Sequence, residues 1–154
     1  MNLWPPFIGA GIHVARISPD FREISVRLRM GLLNRNYVGT HFGGSLFAMT
    51  DPFYMLMMMR NLGPDYIVWD KHSRIDFRRP ARGRVWAHFG LGEEQLSTAR
   101  QQCESGAKFE PTYTIDIVDA SGEVVATVDK TLYIRRRPGP RSADAATRCD
   151  AATP

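Results

Sequence analysis

The chain has 154 residues, 44% hydrophobic and 23% charged, with a formal charge of +4. That is enough length for one cored domain and too much apolar content for a disordered one. The longest apolar run, Leu46 to Met59, is broken by Asp51-Pro52 and is too short to span a bilayer, so no membrane span is expected.

The mildly basic balance, with a pI near 9.4, suits a phosphate-bearing small molecule but does not require one. Cys103 and Cys149 form neither a disulfide framework nor a metal-ligand spacing. The start MNLWPPFIGA lacks the basic and apolar regions of a secretory signal, so a reducing cytoplasm is the expected compartment.

In chain order, Ile12–Ile17 and Glu23–Met30 read as a strand pair turned at Ser18-Pro19-Asp20. Ile24, Val26, Leu28 and Met30 alternate with Ser25, Arg27 and Arg29, the pattern of a sheet covered on one face. Leu46–Leu62 is apolar almost all round and predicts one buried helix, ended by Gly63-Pro64. Ile67–Arg79 alternates strictly. Trp69, Lys71, Ser73, Ile75 and Phe77 are expected on one face, and Asp70, His72, Arg74, Asp76 and Arg78 on the other.

A turn at 80–83 leads into the strand Arg84–Leu91. Glu93–Cys103 reads as a short polar helix with acids first and Arg100 late, as the helix dipole favours. Pro111–Val118 and Glu123–Arg135 form the last pair, joined by Asp119-Ala120-Ser121-Gly122. The expected fold is α+β, a long helix wrapped by an antiparallel β-sheet, in a single domain over residues 1–137. Residues 138–154 lack periodicity and are expected to be a disordered tail. One helix leaves sheet edges uncovered, so a homo-oligomer, dimer or tetramer, is expected.

The chemistry-bearing stretch is Asn36-Tyr-Val-Gly39-Thr-His41-Phe-Gly43-Gly44-Ser-Leu-Phe-Ala-Met-Thr-Asp51. Glycines at a helix start leave backbone N–H groups open to a ligand, and those donors can hold an oxyanion during acyl transfer. Asp51 is the only carboxylate in the apolar helix, and burial demands that it be paired, bonded or opened to a cleft. Locally, Thr50-Asp51-Pro52 also reads as a helix cap with proline in the first turn.

This stretch resembles the hotdog-fold thioesterase superfamily, PaaI-like, in which an Asn, a Gly-Gly pair and a helix acid recur. Asn36, Gly39, Gly43, Gly44 and Asp51 match that spacing. The closer likeness is to an uncharacterised, DUF4442-type branch, through His41–Met57 and Val68–Lys71. The resemblance spans about Ala10 to Arg137 by strand order. It implies an acyl-CoA thioesterase with its site between two subunits and no cofactor beyond the coenzyme A of the substrate. Asp51 would be general base or nucleophile, Gly44 N–H would polarise the thioester carbonyl, and Asn36 would orient water or substrate.

The departures are specific. Phe42 sits where the common pattern has His, leaving His41 one place early, with either a catalytic or a loop role. Some relatives carry Ser or Thr where Asp70 falls, and that acid could act on Asp51 or pair with Lys71. Pro52 would free the carbonyl of Ala48 and kink the helix. Tyr54 could line the cleft or only pack, and the methionine run 55–59 could be core or acyl wall. Lys71, Arg78 and Arg79 belong to a basic stretch, with Arg74, Arg82 and Arg84, that is either a solvated face or a seat for coenzyme A phosphates. Nucleic acid is not an expected partner, since no aromatic-basic platform accompanies the charge. Two rival functions remain: a non-catalytic acyl-CoA or fatty-acyl binding module, and a hydroxyacyl-thioester dehydratase.

Overall fold

The computed structural model describes residues 1–32 and 34–138. The tail expected over 138–154 lies, from 139 onward, outside the described residues. The elements are α1 (Pro5–Ala10), β1 (Ile12–Ile17), β2 (Glu23–Arg29), α2 (Gly43–Ala48), α3 (Phe53–Leu62), β3 (Tyr66–Phe77), β4 (Arg84–Gly90), α4 (Glu93–Gln102), β5 (Lys108–Phe109), β6 (Thr112–Asp119) and β7 (Val124–Arg136). Every strand pair is antiparallel, and the sheet runs β1-β2-β4-β6-β7-β3, with β5 added to β7.

Alternation explains which face is dry. Ile24, Val26 and Leu28 of β2, Val85, Ala87 and Phe89 of β4, and Ile115 and Ile117 of β6 are all buried. They form one core with Phe53, Met57 and Met58 of α3 and with Met49. The buried methionines are therefore core filling, as their unbranched shape allows. The expected sheet wrapped on a central helical segment is present.

Two local expectations give way. The segment read as one helix over Leu46–Leu62 is two, α2 and α3, separated by Met49–Pro52. The strict alternation of 67–79 is broken by a bulge between Asp70 and His72. Asp70 opposes Leu132 and Ser73 opposes Lys130, so both face the helix. Trp69 opposes Tyr133, on the far side from Ser73, Ile75 and Phe77. One extra residue, Lys71, thus moves Trp69 and Asp70 to the faces opposite those expected.

The N-terminal α1 has no counterpart in the strand pattern. Pro5 and Pro6 occupy its first turn, where a missing N–H costs nothing. Gly11 ends it at φ 74°. Asn34 holds that end in place: its Nδ2 donates to Ala10 O (2.6 Å) and Arg29 O (2.8 Å). A Cβ on Gly11 would lie 2.5 Å from Asn34 Nδ2 and 2.8 Å from Arg29 O. Gly11→Ala therefore combines left-handed strain with a backbone clash, and is expected to cost about 2 kcal/mol or more. Urea unfolding should show a lowered midpoint with an unchanged m value. An unchanged midpoint would mean the contact gives freely.

Candidate active site

The break between α2 and α3 follows from Pro52. It has no N–H to bond Ala48 O, which instead accepts the Asp51 N–H at 3.3 Å. Thr50 Oγ1 donates to Phe47 O at 2.8 Å, closing the turn. The chain resumes helical form with Pro52 as the cap residue and no side-chain cap bond. Asp51 is thus neither the cap nor inside a helix. It stands in the turn, its side chain 55% exposed.

Behind Asp51 lies a group that was not anticipated. Lys130 is 1% exposed, and its Nζ donates to Asp51 Oδ1 at 2.7 Å and lies 3.2 Å from Asp70 Oδ1. The bulge at Lys71 is what turns Asp70 inward to meet it. A fully buried ammonium is tolerable only with counter-charge and bonded partners, and the two carboxylates supply both. Burial pushes the Asp70 carboxyl above the usual range; Lys130 opposes that shift and the charge of Asp51 adds to it. Lys71 does not pair with Asp70. Its Nζ bonds Glu110 Oε2 at 2.5 Å.

The start of α2 separates two concavities. A groove of about 580 Å³ is lined by Asn36, His41, Gly43, Arg78, Arg79 and Arg82, among others. A smaller pocket of about 340 Å³ carries Gly44 and Asp51. Backbone bonding begins at Ser45, whose N–H donates to Phe42 O at 2.9 Å, so the N–H groups of Gly43 and Gly44 precede it. Both glycines also permit close approach: a Cβ on Gly43 would meet the Phe77 ring at 2.9 Å, and one on Gly44 would run into the Phe42 ring.

The remaining predicted residues are placed as follows. Asn36 Oδ1 accepts from the N–H of Val38 (3.1 Å) and Thr40 (2.9 Å), and its Nδ2 donates to Thr40 Oγ1 at 2.7 Å, so it organises its own turn. Arg79 is paired with Glu123. Tyr54 is 6% exposed, stacks on Tyr113 with centroids 4.5 Å apart, and meets neither concavity. It is a core residue. Among the described residues no three His, Cys, Asp or Glu side chains gather as a metal set.

His41 is 3% exposed, with Nε2 3.1 Å from Gly83 O. A carbonyl only accepts, so Nε2 carries the proton and Nδ1 keeps a lone pair, for which no partner lies among the described residues. Burial holds this imidazole below its ordinary range. The unfolded chain therefore binds a proton before the folded one does. Stability should be full above about pH 6.5 and fall as pH drops from there through the folded value. Unfolding midpoints measured from pH 8 to 5 should show this slope, and His41→Gln should flatten it. An equal slope in the variant would assign it elsewhere.

A family profile described as "Domain of unknown function (DUF4442)" matches residues 1–134. The chain belongs to the DUF4442 family. Solved structures with the same fold include three with functional descriptions. One is a protein of unknown function from Pseudomonas aeruginosa, described as a probable thioesterase (22% identity, TM-score 0.74, 83% of this chain and 85% of that one). Another is a thioesterase from Haemophilus influenzae (15%, TM-score 0.64, 91% and 89%). The third is a point mutant of the phenylacetic acid degradation protein PaaI from Thermus thermophilus (23%, TM-score 0.58, 84% and 98%). No curated protein matches. This DUF4442 domain has the hotdog fold, and the resemblance read from His41–Met57 and Val68–Lys71 pointed to the right branch. No helix among the described residues is long and apolar enough to cross a membrane.

A signal for Lys130 was present in the sequence. Ala126, Val128, Lys130, Leu132 and Ile134 share one face of β7, and four of the five are apolar. A lone lysine in such a row must find a buried counter-charge.

Proposed function

We propose that this DUF4442 domain hydrolyses an acyl-CoA thioester, with Asp51 as general base or nucleophile. The observation that carries this reading is the placement of Asp51. A half-exposed carboxylate, gripped through one oxygen by a buried ammonium, shares a pocket with the start of α2. In the base form, Asp51 takes a proton from water as the water oxygen attacks the thioester carbonyl. The carbonyl oxygen becomes negative near the Gly44 N–H. Collapse breaks the C–S bond, and the departing sulfur receives the proton. The structural relatives described as thioesterases support this direction. The basic groove beside Gly43, with Arg78, Arg79 and Arg82, suits the coenzyme A phosphates. His41, buried and bonded to Gly83 O, backs that wall, and Asn36 shapes its turn.

A homo-oligomer belongs to the same reading. β3 is a sheet edge twelve residues long, and Trp69 on it is 64% exposed. A cytoplasmic setting fits Cys103, a buried free thiol. The rival, a binding module without turnover, draws on Asn36, whose amide is already occupied within its own turn. Thiol release from a panel of acyl-CoAs, wild type beside Asp51 variants, decides between them.

A further inference from the structure

The start of α2 divides two surfaces of opposite character. The groove on the Gly43 side is rimmed by arginines. The pocket on the Gly44 side is lined by Trp4, Pro6, Phe7, Phe47, Ala48 and Pro52, with Asp51 as its one charged residue. We propose that this smaller pocket is the acyl-binding subsite, and that α1 is the wall that limits it to compact apolar acyl groups, aryl or short alkyl. This rests on the thioesterase reading and names its substrate class.

Three observations support it. First, the wall is preformed. Phe7 is 2% exposed and its ring lies 6.1 Å from that of Phe53 in the core, while Trp4 meets Phe7 edge-on at 5.0 Å. Asn2 ties the segment before α1 to β1, donating to Val14 O at 3.1 Å and accepting from Val14 N–H at 2.8 Å. A wall anchored at both ends selects by size, because widening it means breaking those contacts. Second, the volume of about 340 Å³ is near the lower end for small-molecule sites, roughly 300–1,000 Å³. Third, the only charge in the lining is fixed. Asp51 is held through Oδ1 by Lys130, so its carboxylate stands at a set place in an otherwise apolar lining. An apolar lining with one tethered carboxylate suits an acyl chain whose reacting carbon lies beside the acid. It offers no partner to a polar tail.

The test uses the full-length chain and non-hydrolysable S-alkyl and S-benzyl thioethers of coenzyme A, with binding read by calorimetry. Affinity should rise about fourfold for each methylene that enters the pocket, then stop rising once it is full. Trp4→Ala should move that plateau to longer chains, and Ala48→Leu should move it to shorter ones. Circular dichroism on both variants confirms the fold. Affinity that ignores chain length, a plateau that neither variant moves, or no thioether binding at all would overturn the proposal. Binding that follows chain length while acyl-CoAs release no thiol would sink hydrolysis and leave the acyl subsite standing.

Discussion

Removing both carboxylates from around Lys130 should destabilise the protein by about 3–5 kcal/mol, and removing the lysine as well should restore most of that loss. The reason is the asymmetry of burial. Lys130 is 1% exposed, whereas the side chains of Asp51 and Asp70 are 55% and 27% exposed. Asp51→Ala with Asp70→Ala leaves a buried ammonium without either of its counter-charges. Lys130→Met in that background puts an apolar chain of similar length between Val128 and Leu132, where the rest of the face is already apolar. Each aspartate alone should cost less than half the double change, because one carboxylate still faces the ammonium. Denaturant unfolding of the two singles, the double and the triple measures all of this. A triple variant no more stable than the double would mean that Lys130 is not held by this network.

The second large effect is on turnover. Asp51→Asn keeps the size of the side chain and an oxygen able to accept from Lys130. It removes the capacity to take a proton or attack a carbonyl. On the hydrolytic reading, kcat and kcat/KM should fall together by about 10²–10⁴, with thermal stability close to wild type. Asp70→Asn should cost less, because Asp70 does not line the pocket. Full turnover in a folded Asp51→Asn protein would remove Asp51 from the reaction. A wild type that binds acyl-CoA and releases no thiol from any of the panel would favour the binding module.

Much of this fold could be read along the chain, because alternation and breakers are local signals. The pairs β1–β2 and β6–β7, the turn at 119–122, the polar α4 and the apolar segment before Gly63 follow from residues within a few positions of one another. So do the likeness of His41–Met57 and Val68–Lys71, which pointed to the family, and the suspicion that Pro52 breaks the helix beside Asp51.

What the tertiary structure decided depended on partners far away in the chain. The bulge at Lys71 is a property of the β3–β7 pairing, and it alone turns Asp70 toward the helix. Lys130 lies 79 positions from Asp51, and the two meet because β7 runs under the break that Pro52 makes. Tyr54 could line the cleft or only pack, and Lys71 could pair with Asp70. Tyr54 stacks on Tyr113 and Lys71 pairs with Glu110. The α1 wall could not be foreseen from MNLWPPFIGA, since a six-residue helix has little stability of its own and exists here because Phe7 finds the core. Periodicity is written in neighbours, and so it survives in a sequence. A buried charge cluster is written in pairings, and these exist only once the sheet has closed on the helix.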